Sequence, residues 1–431
     1  MPSSGPAGVL DELRWRGLLQ DVTEGTAEHL SGGARTGYIG FDPTASSLHV
    51  GTLLPIMGLV HLQRAGHHAI ALVGGGTGLI GDPSGKVSER KLLGSEETFA
   101  NAEAIHRQLE HFLDFGVRPN PARMRNNYDW LGQIPLVDFL RDIGKHFSVN
   151  AMLRKESVKR RVESDEEGIS FTEFSYQLLQ SYDFLELFRR EGCTVQMGGS
   201  DQWGNITAGI DLIRRMEGAP AFGATFPLLQ TSAGTKFGKT EAGTVWLDPV
   251  RTSPYRFYQF WINADDPDAL QFLRFFTLLP REEIEALDAA TAEAPERRAA
   301  QKTLAEDVTR RVHGEDGLQR ARRATDALFG GELAGLSAED IADVFADVPS
   351  SDADRGTLAG EGKPIVELLT DAGIAPSRAE AKRQVEGGGI YLNSLRVGEI
   401  EQRVRIQDAI EGRFLVLRKG KKSYHLVRVV G

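Results

Sequence analysis

Two short segments of this 431-residue chain carry residue types suited to phosphate chemistry. In the first, residues 40–52, a polar turn with Pro43 leads to His49 and Gly51 at the start of an apolar run. A helix start presents free backbone N–H groups and the positive end of the helix dipole, so it binds anions such as phosphate. His49 adds a donor, and Gly51 leaves room for a flat base or sugar to approach the backbone.

The second segment, residues 234–244, places Lys236 and Lys239 three positions apart between small residues. Glycine-rich flanks let such a loop close over a ligand, and lysines then neutralise the charge that moves through phosphates in a transition state. A lone lysine pair in a loop is usually solvated. The interpretation therefore rests on the two segments together.

The elements that must position these residues follow the pattern of a nucleotide-binding sheet. Residues 38–41 and 69–73 predict strands, residues 53–65 predict a helix that ends before Gly66, and a glycine-rich loop occupies residues 74–83. Strand, helix, strand and glycine-rich loop in that order indicate a parallel, doubly wound sheet. A third strand is expected at residues 194–197, and helices at residues 96–115 and 171–191.

We predict an α/β fold in four consecutive parts. A Rossmann-like catalytic domain with a doubly wound parallel sheet covers residues 1–247 and includes the lysine loop. A helical domain follows at 248–348, because residues 254–329 are almost entirely helical in pattern. Residues 349–362, rich in Ser, Asp and Gly, predict a linker, and residues 363–431 a small α+β domain.

Composition and charge narrow the class of protein. The chain is 41% hydrophobic and 26% charged, with no apolar run of membrane-spanning length and no visible signal peptide. Its single cysteine, Cys193, excludes an intrachain disulfide and a cysteine-based zinc site, and we predict no metal ligands. These features favour the cytoplasm.

Net charge is unevenly distributed along the chain. The total is −10, yet residues 363–431 contain thirteen Lys and Arg against eight Asp and Glu. In this segment Arg378 and Lys382 are one turn apart on a predicted helix, and Lys421 lies in the basic turn of a predicted hairpin. RNA phosphates are the natural partner of such a surface, although a solvated charged face is the alternative.

A third group of polar residues lies on the predicted helix at residues 171–191. Tyr176, Gln180 and Asp183 stand at positions i, i+4 and i+7, so they share one face and could converge on one ligand. On spacing alone, a polar core-facing stripe or a solvated surface is the more common explanation than a ligand site.

Together these segments resemble a known family. Residues 49–52, His-Val-Gly-Thr, are similar to the HIGH signature of class I aminoacyl-tRNA synthetases, and residues 236–240, Lys-Phe-Gly-Lys-Thr, to its KMSKS signature. The chain resembles bacterial tyrosyl-tRNA synthetases also at residues 72–90, 146–149, 170–184 and 196–210, and its last domain resembles an S4-type RNA-binding domain. This resemblance implies ATP with Mg²⁺, tyrosine and tRNA(Tyr) as substrates and a homodimer, with no tightly bound cofactor.

The resemblance also implies roles for individual residues. Those expected to stabilise the ATP phosphates and the departing pyrophosphate are Thr44, His49, Lys86, Arg90, Lys236 and Lys239. Those expected to bind ATP are Asp42, Gly51, Asp201 and Lys239, with Asp201 on the ribose. Those expected to bind tyrosine are Asp82, Tyr176 and Gln180 at its ammonium, Gln202 near its carboxylate, and Tyr38 and Asp183 at its phenol. Arg378, Lys382 and Lys421 would contact RNA.

Two positions depart from the best-known family pattern, and two rival functions stay open. Thr52 stands where a second histidine is common, and Ile39 where some members have a cysteine, so we expect no ribose contact at either. A tryptophanyl-tRNA synthetase is disfavoured because an indole offers no hydroxyl to Tyr38 and Asp183. A noncatalytic RNA-binding relative is disfavoured because the chain retains Thr44, His49, Lys236 and Lys239.

The basic helix of the last domain gives a first prediction. Replacing Arg378 and Lys382 together by Glu should weaken tRNA charging at least tenfold, because each reversal removes a phosphate contact and adds repulsion. Adenylate formation, measured by ATP–pyrophosphate exchange, should stay within twofold of the unmodified protein. Loss of both steps would contradict this separation of roles.

Overall fold

The computed structural model describes residues 8–84, 94–155, 158–159, 162, 168–232, 234, 237–240, 243–328, 330–420 and 423–431. The chain forms two compact units. The first comprises Met1–Asp248 and Ala264–Leu304, and the second Pro249–Asn263 and Ala305–Gly431. The first segment of the first unit ends at Asp248, and residues 248–348, predicted as one helical domain, are divided between the two units.

A five-stranded parallel sheet forms the centre of the first unit. Its strands are β1 (Thr36–Phe41), β2 (His68–Val73), β3 (Arg123–Asn126), β4 (Cys193–Gly199) and β5 (Phe222–Phe226). They are arranged in the order β3-β2-β1-β4-β5, and every neighbouring pair is parallel. This confirms the predicted doubly wound fold, although β3 and β5 were not predicted from the sequence.

Helices connect these strands in the first unit. They are Val9–Arg16, Thr26–Ser31, Leu53–Arg64, Ser95–Leu109, Tyr128–Leu131, Leu136–Asp138, Val149–Leu153, Phe171–Glu191, Trp203–Glu217, Asp266–Phe276 and Arg281–Glu293. The helix Phe171–Glu191 has the predicted bounds for a local reason. The Ser170 side chain accepts a hydrogen bond from the Glu173 N–H at its start, and Gly192 ends it in the left-handed conformation.

The buried side chains of β1 and β2 join this helix in one hydrophobic core. Tyr38, Ile70 and Leu72 belong to the same buried cluster as Phe184 and Leu187. Strands of a parallel sheet that are covered by helices read as nearly continuous apolar runs, which is how β2 was recognised in the sequence. The core therefore fixes the helix that carries Tyr176, Gln180 and Asp183 against the sheet.

A second sheet organises the C-terminal unit. Its strands, in spatial order, are Leu395–Arg396, Ile390–Leu392, Phe414–Lys419, Ser423–Val430 and Ser350–Asp354. The helices of this unit are Pro254–Ile262, Ala338–Val344, Arg355–Leu358, Ile365–Asp371 and Arg378–Glu386, and the helix Ala299–Leu328, interrupted at Gly314, begins in the first unit. The predicted basic helix and hairpin are confirmed, while Lys421 lies outside the described residues.

The predicted linker at residues 349–362 is wrong. Ser350–Asp354 forms an edge strand that pairs in parallel with Ser423–Val430, and a short helix with the buried Leu358 follows it. The error has a physical cause, because an edge strand exposes most of its side chains and only Ala353 of this strand is buried. Its polar composition therefore imitates a linker.

None of the helices in the described part of the chain is long and apolar enough to cross a membrane.

Candidate active site

The strand order reverses between β1 and β4, and the site is built there. In doubly wound sheets, ligands bind in the crevice at the carboxyl ends of the strands on either side of such a reversal. A cavity of about 210 Å³ opens at this point between the ends of both strands. Seven predicted substrate residues line it: Tyr38, Asp42, Asp82, Tyr176, Gln180, Asp183 and Gln202.

One end of the cavity holds the buried carboxyl group of Asp183. Its Oδ2 accepts a hydrogen bond from the Asn127 amide at 2.9 Å, and its Oδ1 accepts one from the Trp130 indole N–H at 2.7 Å. The neighbouring hydroxyl of Tyr38 is buried and has no hydrogen-bond partner among the described residues. A hydroxyl donor that lacks a partner and a carboxylate acceptor thus belong to the same cavity.

The electrostatics of this end follow from burial. Burial raises the pKa of Asp183 to about 8, with Asp42 and Glu186 adding to the increase and the bonds from Asn127 and Trp130 opposing it. Burial and the nearby Asp183 also raise the pKa of Tyr38 well above its usual value, so that phenol stays a neutral donor. A ligand hydroxyl satisfies both groups, because it accepts from Tyr38 and donates to Asp183.

A second group of polar side chains shapes the cavity around Asp82. The Asp82 carboxylate accepts hydrogen bonds from the Gln202 amide at 2.8 Å and the Ser84 N–H at 2.9 Å. The Tyr176 hydroxyl donates to Asp42 at 2.9 Å, which leaves its oxygen lone pairs able to accept. Carboxylates and acceptor oxygens in a recessed site favour a cationic group such as an ammonium.

Several residues that build the cavity were not predicted from the sequence. Asn127 and Trp130 hold Asp183, Thr77 binds both Asp42 and Asn127, and Asn205 donates to the Gln180 side-chain oxygen at 2.8 Å. Asn127 follows β3, a polar strand without the alternation that marks a half-buried one. Recognising β3 would have placed Asn127 at the same sheet edge as Asp42.

The two predicted phosphate-binding segments lie side by side. The Val50 N–H donates to the Val245 carbonyl at 3.0 Å, and the Leu247 N–H donates to the Leu48 carbonyl at 2.9 Å. Gly238, between the two predicted lysines, packs so closely that a Cβ there would lie 2.9 Å from Val50 Cγ2. The chain that follows the lysine loop therefore pairs with the segment that carries His49.

The local geometry around His49 gives Gly51 a structural reason besides the predicted one. A Cβ at Gly51 would lie 2.8 Å from the His49 ring, so the glycine makes room for that imidazole. The Thr52 hydroxyl forms hydrogen bonds within the same turn: it donates to the His49 carbonyl at 2.5 Å and accepts from the His49 N–H at 3.1 Å.

The other predicted site residues either lie outside the described part of the chain or do not line the cavity. Lys86, Arg90 and Lys236 lie outside the described residues, and Lys239 is described only through its backbone in the strand Lys239–Thr240. Thr44 and Asp201 are exposed near the carboxyl ends of β1 and β4 and do not line the cavity. Among the residues whose positions are described, no group of three or more His, Cys, Asp or Glu side chains is arranged to hold a metal ion.

The fold agrees with what comparison to known families finds. Residues 32–330 match the family model "tRNA synthetases class I (W and Y)", and residues 340–427 match "Tyrosine–tRNA ligase SYY-like C-terminal domain". The chain therefore belongs to the class I tRNA synthetases of the tryptophan and tyrosine group.

Within this group its similarity is to tyrosine–tRNA ligases. It is 57% identical to the tyrosine–tRNA ligase of Roseiflexus castenholzii over 98% of this chain and 99% of that protein. It is 54% identical to the tyrosine–tRNA ligase of Geobacillus stearothermophilus over 97% and 99% of the two chains. The solved C-terminally truncated mitochondrial tyrosyl-tRNA synthetase of Aspergillus nidulans matches with a TM-score of 0.69 and 31% identity, over 76% of this chain and 95% of that chain.

The positions of His49 and Thr52 give a prediction about amino-acid activation. His49→Ala should lower the rate of ATP–pyrophosphate exchange about a hundredfold or more, because it removes a donor from the phosphate end. Thr52→Ala should leave the rate within a few fold and lower the free energy of unfolding by about 1 kcal/mol, since its hydroxyl closes the helix start. Equal losses of activity would contradict the assignment.

The raised pKa of Asp183 gives a prediction about stability. Between its ordinary value of 3.8 and about 8, the folded protein holds a proton that the unfolded chain releases, so wild-type stability should fall as pH rises through this window. Asp183→Asn does not titrate, so its free energy of unfolding relative to wild type should rise by up to about 1.4 kcal/mol per pH unit.

Urea unfolding at pH 5, 6, 7 and 8 measures this difference. Asp352→Asn, at an exposed position on the edge strand of the second sheet, serves as the matched control. A constant difference between Asp183→Asn and wild type across the series would contradict the proposed burial of the proton.

Proposed function

We propose that this chain is a cytoplasmic tyrosine–tRNA ligase that activates L-tyrosine with ATP and transfers it to the 3′ end of tRNA(Tyr). The observation that carries the proposal is the pair of Tyr38 and Asp183 at one end of the cavity. An amino acid without a hydroxyl would leave the buried donor and the buried acceptor without a hydrogen-bond partner, and this costs binding free energy. Such sites reject the analogue strongly, and tyrosyl-tRNA synthetases are themselves the standard example of this effect.

The remaining cavity residues orient the amino acid for reaction. The tyrosine ammonium binds Asp82, the Tyr176 oxygen and Gln180, while Gln202 lies beside the carboxylate. The geometry that supports this arrangement is the bond from Gln202 to Asp82, which fixes the amide next to the ammonium site. Substrate held in this way presents its carboxylate for in-line attack on the α-phosphorus of ATP.

No protein nucleophile is needed for this step, because catalysis depends on position and charge. MgATP is the second substrate, and its phosphates bind Thr44, His49 and the lysines of the 236–239 loop, together with Lys86 and Arg90. Asp42 and Gly51 contribute to the nucleotide site, and Asp201 binds the ribose. The close pairing of the His49 segment with residues 245–247 supports this shared phosphate site.

The C-terminal unit serves the second substrate class, the tRNA. Arg378 and Lys382 lie exposed on the helix Arg378–Glu386, and Lys421 is proposed to contact RNA with them. Arg378 forms an ion pair with Glu367 at 3.1 Å. A surface ion pair of this kind is weak and exchanges readily for a phosphate contact.

The active form is a homodimer. Large apolar side chains are exposed in one stretch of the first unit, where Leu136 is 71%, Val137 72% and Phe171 77% exposed. Leu140, Val149 and Leu153 in the same stretch are also exposed. Exposed large apolar side chains that recur within residues 136–171 support a contact surface, which a second copy of the chain covers with its own copy of that surface.

Amino-acid specificity provides the test of function. ATP–pyrophosphate exchange should proceed with tyrosine and be at least a thousandfold slower, by kcat/KM, with phenylalanine or tryptophan. Tyr38→Phe should reduce the preference for tyrosine over phenylalanine about tenfold, since it removes one hydrogen bond. Tyr255→Phe, a buried tyrosine of the other unit, is the control.

The possible outcomes separate the candidate functions. Exchange with tryptophan in place of tyrosine would identify a tryptophanyl enzyme and overturn the role of Tyr38 and Asp183. Exchange with none of the three amino acids would instead favour a noncatalytic RNA-binding protein.

Sedimentation equilibrium tests the dimer. The wild-type chain should sediment with twice its 47.2 kDa mass, and the double variant Leu136→Asp, Val137→Asp should sediment as a single chain, because two buried charges disrupt an apolar contact. Val117→Asp, 92% exposed in a loop outside this stretch, should remain dimeric. A monomeric wild-type chain at micromolar concentration would contradict the proposal.

A further inference from the structure

The glycine-rich loop contains a buried hydroxyl with two partners on opposite sides. Thr77 is 2% exposed, and its Oγ1 lies 3.0 Å from Asp42 Oδ1 and 2.9 Å from Asn127 Nδ2. An amide nitrogen only donates and a carboxylate only accepts, so the direction of both bonds is determined. Thr77 accepts from Asn127 and gives its single proton to Asp42.

The orientation of the Asn127 amide is fixed independently. Its Oδ1 accepts the Gly76 N–H at 2.7 Å, so its nitrogen must face Thr77 and Asp183. The two amide protons therefore go to Thr77 and to Asp183 Oδ2. No proton of Asn127 remains to compensate for a change at either partner.

These bonds form one chain through the cavity wall. It runs from the Tyr176 hydroxyl to Asp42, then through Thr77 and Asn127 to Asp183. Tyr176 belongs to the proposed ammonium end and Asp183 to the phenol end. Thr77 is the hydroxyl through which these bonds join the two halves.

Gly74 in the glycine-rich loop leaves the space that the hydrogen bond between Thr77 and Asp42 needs. A Cβ at Gly74 would lie 2.2 Å from Asp42 Oδ1 and 2.5 Å from Thr77 Oγ1, which is too close for either bond to survive unchanged. Gly74 has an ordinary negative φ, so its backbone conformation does not require glycine. Glycine is required there because a side chain would collide with Asp42 and Thr77. The loop thus makes room for the Asp42 to Thr77 contact.

We propose that Thr77 is a positioning residue that holds both ends of the amino-acid site in register, so that loss of its hydroxyl weakens binding of the amino-acid head group and recognition of the phenol together. This inference rests on the proposed roles of Tyr176 and Asp183. It adds a residue that acts through Asp42 and Asn127 on both.

The test compares kcat/KM for tyrosine and phenylalanine in ATP–pyrophosphate exchange. Thr77→Val keeps the shape of the side chain and removes both hydrogen bonds. It should lower activation of phenylalanine about tenfold and of tyrosine about a hundredfold, so that the preference for tyrosine falls about tenfold. Weakening one hydrogen bond at the ammonium end lowers activation of both amino acids about tenfold, and weakening one at the phenol end lowers activation of tyrosine about tenfold more.

Three further variants complete the design. Thr77→Ser restores the hydroxyl and should recover the preference to within about twofold. Thr98→Val removes the hydroxyl of a buried side chain that packs against the same loop. Within the described part of the chain that hydroxyl donates to the Gly94 carbonyl and not to the site, so the preference should not change. Gly74→Ala should reproduce the loss seen with Thr77→Val, and it stands in should that variant not fold.

The outcomes distinguish this proposal from the pocket assignment. Asp183→Asn must reduce the preference for tyrosine, and failure of that variant to do so would overturn the proposed site itself. If Asp183→Asn behaves as expected, an unchanged preference in both Thr77→Val and Gly74→Ala would overturn the role of Thr77. If Thr77→Val reduced the preference for tyrosine but left activation of phenylalanine unchanged, only the phenol end would be affected. That result would contradict a hydrogen-bonded path that joins the ammonium and phenol ends.

Discussion

The site depends on a carboxyl group buried without a cationic partner. Asp183 is 2% exposed, and its described hydrogen-bond donors are the neutral Asn127 amide and Trp130 indole. Two neutral hydrogen bonds do not fully offset the cost of removing a carboxylate from water, which is why its pKa stays raised. In the proposed site the phenol of the substrate supplies an additional donor, which makes binding specific for a hydroxyl.

This constraint explains the arrangement of the surrounding chain. Asn127 reaches Asp183 only because β3 ends beside β2 and the glycine-rich loop bends over both strand ends. The same loop positions Thr77 next to Asp42, and the helix Phe171–Glu191 places Tyr176 and Asp183 on one face. Recognition of the substrate is therefore distributed over strand ends whose spacing the hydrophobic core fixes.

Much of this architecture could be predicted from the sequence because its signals are local. The apolar runs of β1 and β2, the glycine-rich loop and the i, i+4, i+7 spacing of Tyr176, Gln180 and Asp183 all lie within short stretches of the chain. The resemblance of residues 49–52 and 236–240 to family signatures then identified the chemistry. Each of these predictions could be made without knowing which distant residues are in contact.

The features that were missed depend on contacts between distant residues. Asn127 bonds to a residue 56 positions away and follows β3, whose polar residues give no strand pattern, and the space that Gly51 leaves depends on where the His49 ring lies. The edge strand Ser350–Asp354 looked like a linker because its partner lies more than seventy residues later in the sequence. Such pairings follow from tertiary structure and not from local composition.

Proton release on tyrosine binding tests the central claim most directly. Calorimetric titration at pH 7 in buffers of different ionisation enthalpy gives the number of protons exchanged for each amino acid bound. The ionised form of Asp183 is the stronger acceptor for the phenol O–H, so tyrosine should release close to one proton more than phenylalanine, and Asp183→Asn should abolish that difference. Equal proton exchange for tyrosine and phenylalanine in the wild-type protein would contradict the account.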